Sequence, residues 1–85
     1  MSLENFSDLF TDYYNHYIKF SKLYGEDTVI LHQTGHFYEV YDYPKNEGFL
    51  CSDIYKIANI LNLNVTRRDK NKAISVKNWL MSGVP

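Results

Sequence analysis

Residues 28–42 read TVILHQTGHFYEVYD, and the fold turns on how they are read. Two β-type runs, Thr28–Gln33 and Phe37–Asp42, stand either side of Thr34-Gly35. β-branched and aromatic residues dominate both runs, and the short glycine-containing break predicts an antiparallel hairpin. Residues two apart on a strand share a face and lie roughly 6.5–7 Å apart. Phe37 and Glu39 therefore project to one side, and Tyr38 and Val40 to the other. With Tyr38 and Val40 against the core, a ring and a carboxylate stand together beside a glycine loop. A rigid ring on a strand can wedge between base pairs, and a neighbouring carboxyl group can hydrogen-bond the edge of the base it disturbs.

Before the hairpin, Ser7 is a helix N-cap with Asp8 in the first turn. Phe10, Tyr13, Tyr14, Tyr17, Ile18 and Tyr24 recur at helical spacing, and Gly25 supplies the stop. The spacing predicts an amphipathic helix over 8–24 whose tyrosine-rich face packs on a sheet. After the hairpin, Pro44 ends the second strand and the polar stretch 43–48 reads as a loop. Ser52 and Asp53 cap a second helix with Ile54, Ile57, Ala58 and Leu61 on one stripe, stopped at Asn62. Asn64–Arg68 is a short strand, Asp69–Lys72 a turn, and Ala73–Lys77 alternates again. Trp79–Pro85 starts a further element. The order α-β-β-α-β-β gives an α+β (mixed α/β) class, with a small mixed β-sheet flanked by helices.

The 85 residues amount to one small domain, 45% hydrophobic and 22% charged, which excludes collagen-like and disordered classes. The longest purely apolar run is Val29-Ile30-Leu31, so no membrane span is predicted. The N-terminus has neither the basic nor the apolar region of a secretory signal, and the lone Cys51 cannot form an internal disulfide. The expected setting is an intracellular, reducing compartment. Net charge is −1, but it is unevenly spread. Residues 1–53 carry three Lys and nine acids, whereas residues 54–85 carry six cations against Asp69 alone. That asymmetry suggests one basic surface able to meet phosphates, or a solvated turn kept soluble by its lysines.

Catalytic signatures are missing. The four glycines stand singly, so no phosphate-binding loop is present, and no Ser-His-Asp pattern has its local context. His32 and His36 flank the hairpin break, where their spacing carries no ligand geometry; a hydrolytic role for them with Glu39 would need a preorganised pocket. A binding module is expected, with no enzyme activity and no metal.

Gly35-His36-Phe37-Tyr38-Glu39, after a helix and an apolar strand, resembles the N-terminal mismatch-recognition domain of the MutS DNA mismatch-repair ATPases. Further blocks follow in the family's order. Ile57-Ala58-Asn59-Ile60-Leu61 resembles its second helix, Leu63-Asn64-Val65-Thr66-Arg67-Arg68 its Leu-x-Leu-Thr-Lys/Arg-Arg strand, and Met81-Ser82-Gly83-Val84-Pro85 its Met-Ala-Gly-Ile/Val-Pro segment. The resemblance covers residues 7–85 and sets 1–6 apart as an N-terminal extension, in part vector-derived. It implies that Phe37 inserts from the minor groove onto a mispaired base and that Glu39 hydrogen-bonds that base, with Gly35, His36, Arg67 and Arg68 at the DNA. Opening a duplex at a mismatch costs less than at a matched step, so deformation energy would discriminate. Three positions depart from the pattern: His36 where the family has Asp, Thr34 where it has an apolar residue, and Asp69 where it has Gly.

The resemblance further implies that the parent protein continues into connector, lever, clamp and ATPase domains. ATP and Mg would bind there, and the parent would be a homodimer on mismatched double-stranded DNA with no membrane partner. The Asn-, Ile-, Lys- and Tyr-rich composition points to the branch found in large DNA viruses, and hence to host cytoplasm or virion. The competing expectation is a protein-interaction or dimerisation module that uses the aromatic hairpin as its contact surface.

Overall fold

The computed structural model describes residues 5–84. It is an α+β fold: α1 (Asp8–Tyr24), β1 (His32–Thr34), β2 (Phe37–Asp42), β3 (Pro44–Lys45), β4 (Gly48–Phe49), α2 (Ile54–Leu61), β5 (Thr66–Arg67) and β6 (Leu80–Val84). The main sheet runs β1-β2-β6-β5, so the last strand enters between the hairpin and β5. All its pairings are antiparallel, where a mixed sheet was expected. The helices lie on opposite faces. Tyr41 and Trp79 pack with Phe10 and Tyr13 of α1, while Val40 and Leu80 pack with Ile54 of α2. Strand alternation does this: Tyr41 and Met81 are cross-strand partners on one face, and Asp42 and Leu80 on the other.

Both helices begin and end where their capping residues predict. The Ser7 hydroxyl accepts from the Phe10 N–H, and Gly25, at φ +104°, donates to the Ser21 carbonyl at 2.7 Å. At α2 the cap is Asp53, which accepts from the Tyr55 and Lys56 N–H groups, and Asn62 closes the helix in the left-handed region at φ 57°. Ser52 does not cap; its hydroxyl donates to the Thr28 carbonyl. Only part of the tyrosine stripe on α1 is core: Tyr13 is buried, whereas Tyr24 is exposed and stacks on Phe20. Phe6, which the sequence sets ahead of the domain, is buried and stacked on Phe10 at 5.0 Å.

Four expected strands or loops differ. The first β run predicted at Thr28–Gln33 pairs only from His32 to Thr34. Side chains take the carbonyls that a ladder would use, since Tyr13 Oη donates to Ile30 O at 2.6 Å and Ser52 to Thr28 O. The predicted loop 43–48 closes into a two-stranded ribbon, β3 with β4. Of Asn64–Arg68 only Thr66 and Arg67 pair, and the Asn64 carbonyl accepts from Ser82 Oγ. Ala73–Lys77 forms no strand: it is a loop closed by an isolated bridge between Ser75 and Asn78.

Asp42 ties β2 to α2. Its side chain is fully buried, and its carboxyl accepts three backbone N–H groups: Tyr43 at 2.9 Å and Cys51 at 2.8 Å on Oδ1, and Ile54 at 3.2 Å on Oδ2. Burial outweighs these donors and pushes its pKa from the ordinary 3.8 up to about 7. Burial likewise raises the Cys51 thiol and the Tyr13 hydroxyl, keeping both protonated.

Candidate nucleic-acid interface

The hairpin turn is two residues long, because Thr34 pairs directly with Phe37. Gly35 has φ +60° while His36 keeps a negative φ, which matches a type II′ turn with glycine in its first central position. The strand twist that this turn favours sets the register Thr34–Phe37, Gln33–Tyr38, His32–Glu39. From there every side chain on β2 has its face assigned.

Phe37, Glu39 and Tyr41 share the α1 face. That helix covers only the far half of it: Tyr13 and Tyr41 rings meet at 5.0 Å, whereas Phe37 at the tip remains 58% exposed. On the opposite face Val40 is 2% exposed, as the core assignment requires, but Tyr38 is 40% exposed. The expectation that Tyr38 packs on the core helices is corrected, because neither helix reaches the tip. Gly35 and His36 are exposed beside the ring. A phenyl group on a two-strand support therefore juts from the sheet, and its neighbours in the turn leave it uncovered.

Glu39 is held in place. Its Oε1 accepts from Tyr41 Oη at 2.6 Å and from Thr34 Oγ1 at 3.2 Å. Burial, and then the Glu39 contact, raises the Tyr41 hydroxyl well above the usual phenol range, so it stays a donor. Across the ladder Glu39 faces Gly83, and a Cβ there would meet nothing within 4 Å. The carboxylate thus has a fixed aim and open space beside it, and both bonds that hold it fall on Oε1. Sequence reasoning missed both Tyr41 and Gly83. Tyr41 was legible as the next same-face residue after Glu39, whereas Gly83 needed the pairing of two segments more than forty positions apart.

Arg67 and Arg68 are not at this tip. Arg67 pairs with Leu80, which pairs with Asp42, so Arg67 is level with the far end of β2. At about 3.4 Å per residue the separation from Phe37 is roughly 17 Å along the strand and two strand spacings, about 10 Å, across. Arg67 Nη2 donates to the Lys70 carbonyl, and the Arg68 guanidinium lies 4.8 Å over the Trp79 ring. Arg67 ends β5 and Arg68 begins the basic loop between β5 and β6, both apart from the hairpin.

His32 ends the picture on the α1 face, its ring 5.6 Å from that of Tyr41. Among the described residues no group of three His, Cys, Asp or Glu side chains could hold a metal ion, and the cavity of about 320 Å³ that His32 borders is lined by neither His36 nor Glu39. No described helix is long and apolar enough to cross a membrane. Compared with family models, curated proteins and solved structures, the chain finds no match.

Proposed function

We propose that this chain is a duplex-probing module of the MutS mismatch-recognition type, in which Phe37 enters the minor groove at a mispaired base and Glu39 hydrogen-bonds that base. The observation that carries the reading is the exposed Phe37 ring beside a carboxylate whose aim is fixed by Tyr41 and Thr34. An apolar ring left in water at a rigid turn contributes little to folding, and it is the shape that unstacks a weak base step. The surrounding groups support the reading. Gly35 lets the tip turn tightly, His36 stands at the groove mouth, and Gly83 leaves room for a base edge next to Glu39. The wedge discriminates by cost: a mismatched step pairs and stacks poorly, so displacing it takes less energy than displacing a matched one.

Binding of the chain to a duplex with one central mismatch and to its matched counterpart tests this. Stacking of an aromatic ring on a base is worth about 1–3 kcal/mol, or roughly 5–150-fold in affinity. Phe37→Ala should remove a preference of that order and change folding stability by less than about 1 kcal/mol, since the ring is mostly in water. A mismatch preference untouched by the substitution overturns the wedge. Self-association through the hairpin, abolished by Phe37→Ala and insensitive to salt, would instead favour the protein-interaction reading.

A further inference from the structure

The loop between β5 and β6 presents Arg68, Lys70, Lys72 and Lys77 around one acid, Asp69, along an open groove of about 860 Å³. A run of cations is often only a solvated turn, but this one is braced. The Asn78 side chain, 4% exposed, donates from Nδ2 to the carbonyls of Asp69 at 3.0 Å, Lys72 at 3.0 Å and Ala73 at 2.9 Å. Its Oδ1 accepts from the Asp69 N–H at 2.6 Å. One buried amide thus fixes both ends of the segment that carries Lys70 and Lys72. Asp69 does not neutralise the loop: it accepts from the Asn71 N–H and touches only Lys72, at 3.8 Å. Arg68 shares the sheet face of Phe37, at the opposite end of α1's footprint on that face.

We infer that this braced loop is a second duplex contact, in which Lys70, Lys72 and Lys77 meet backbone phosphates away from the wedge; the inference rests on the duplex reading above. The loop anchors the duplex without regard to sequence, and the hairpin probes it. Arg67, after which the loop begins, lies roughly 20 Å from Phe37 by the strand geometry and the lysines follow it, so the two contacts span about six base-pair steps or more and can touch one duplex on either side of a kink. A braced backbone that carries exposed ammonium groups suits contact with phosphates, and binding there releases counterions.

The test is the salt dependence of matched-duplex binding, for the chain, for Lys70→Gln/Lys72→Gln/Lys77→Gln, and for Lys19→Gln/Lys22→Gln/Lys45→Gln as a control with the same change in net charge. Three phosphate contacts predict that the first variant's log–log salt slope is shallower by about 2.7, so that over a fourfold rise in salt the unmodified chain loses about 40-fold more affinity than the variant. The control should keep the original slope. Equal loss in both variants, no loss in either, absence of duplex binding, or low-salt self-association removed by the loop variant each overturns the inference. The wedge is scored separately by the ratio of mismatched to matched affinity. The loop variant should preserve that ratio and Phe37→Ala should abolish it, so one reading can fail while the other stands.

Discussion

Replacing Asp42 by Asn changes one side-chain group at a fully buried position, and its effect should reverse with pH. In the folded chain Asp42 has no exposure and a pKa of about 7 against an ordinary 3.8. Because the folded value lies above the unfolded one, the stabilising form is the neutral acid. Its contribution is complete below about pH 4 and is lost as pH rises through 7. Linkage converts the shift to about 2–3 kcal/mol of stability lost between pH 5 and pH 8. The geometry accommodates the proton on Oδ2, which accepts only the longer 3.2 Å bond from Ile54, while Oδ1 keeps the Tyr43 and Cys51 N–H groups. The substituted amide would retain the Oδ1 contacts but turn its N–H₂ toward the Ile54 N–H, at a cost of about 1–3 kcal/mol for the unpaired donor. Asp42→Asn should therefore be the less stable protein, or an equal one, at pH 5, and gain about 2–3 kcal/mol relative to the unmodified chain by pH 8. Urea unfolding at the two pH values, read by the single and fully buried Trp79, measures this. A difference between the two proteins that stays constant with pH, or an unmodified chain that gains stability on the alkaline side, would refute the argument. The three N–H donors would then outweigh burial, making Asp42 an ordinary ionised cap.

Other substitutions separate the local devices. Gly35→Val places a β-branched residue at φ +60° and should cost at least about 1–2 kcal/mol in urea unfolding, despite the open space around it. Tyr13→Phe removes the bond to Ile30 O and should cost about 1 kcal/mol, with faster amide exchange in residues 28–31 as the local signature. Asn78→Ala strips the brace from the basic loop; with four hydrogen bonds lost, about 2–4 kcal/mol of destabilisation is expected, together with increased proteolysis between Asp69 and Lys77.

Much of the site was legible in the one-dimensional pattern. Gly35 marks the turn, strand alternation puts Phe37 and Glu39 on one side, and Val40 was correctly placed inward. Tyr38 was not, although it alternates with Val40 in the same way, because parity assigns a face and cannot say how far a helix extends over it. Similarly, Thr28–Leu31 has strand composition, but Tyr13 and Ser52 occupy its carbonyls from positions that sequence spacing does not connect. Arg67 and Arg68 read as residues at the DNA, but their place at the end of the sheet away from the hairpin tip came only from the pairing of β5 with β6.

The chain's own pattern determined the local elements: the caps at Ser7 and Asp53, the stops at Gly25 and Asn62, the turn at Gly35 and the α+β class. These depend on backbone preferences and hydrogen bonds within a few residues. Tertiary structure alone decided that β6 lies between β2 and β5, that Gly83 faces Glu39, that Asp42 is sealed among three N–H groups and that Asn78 braces the basic loop. Each of those joins residues brought together by the fold, and their proximity comes from the burial of both sheet faces at once, which no local preference encodes.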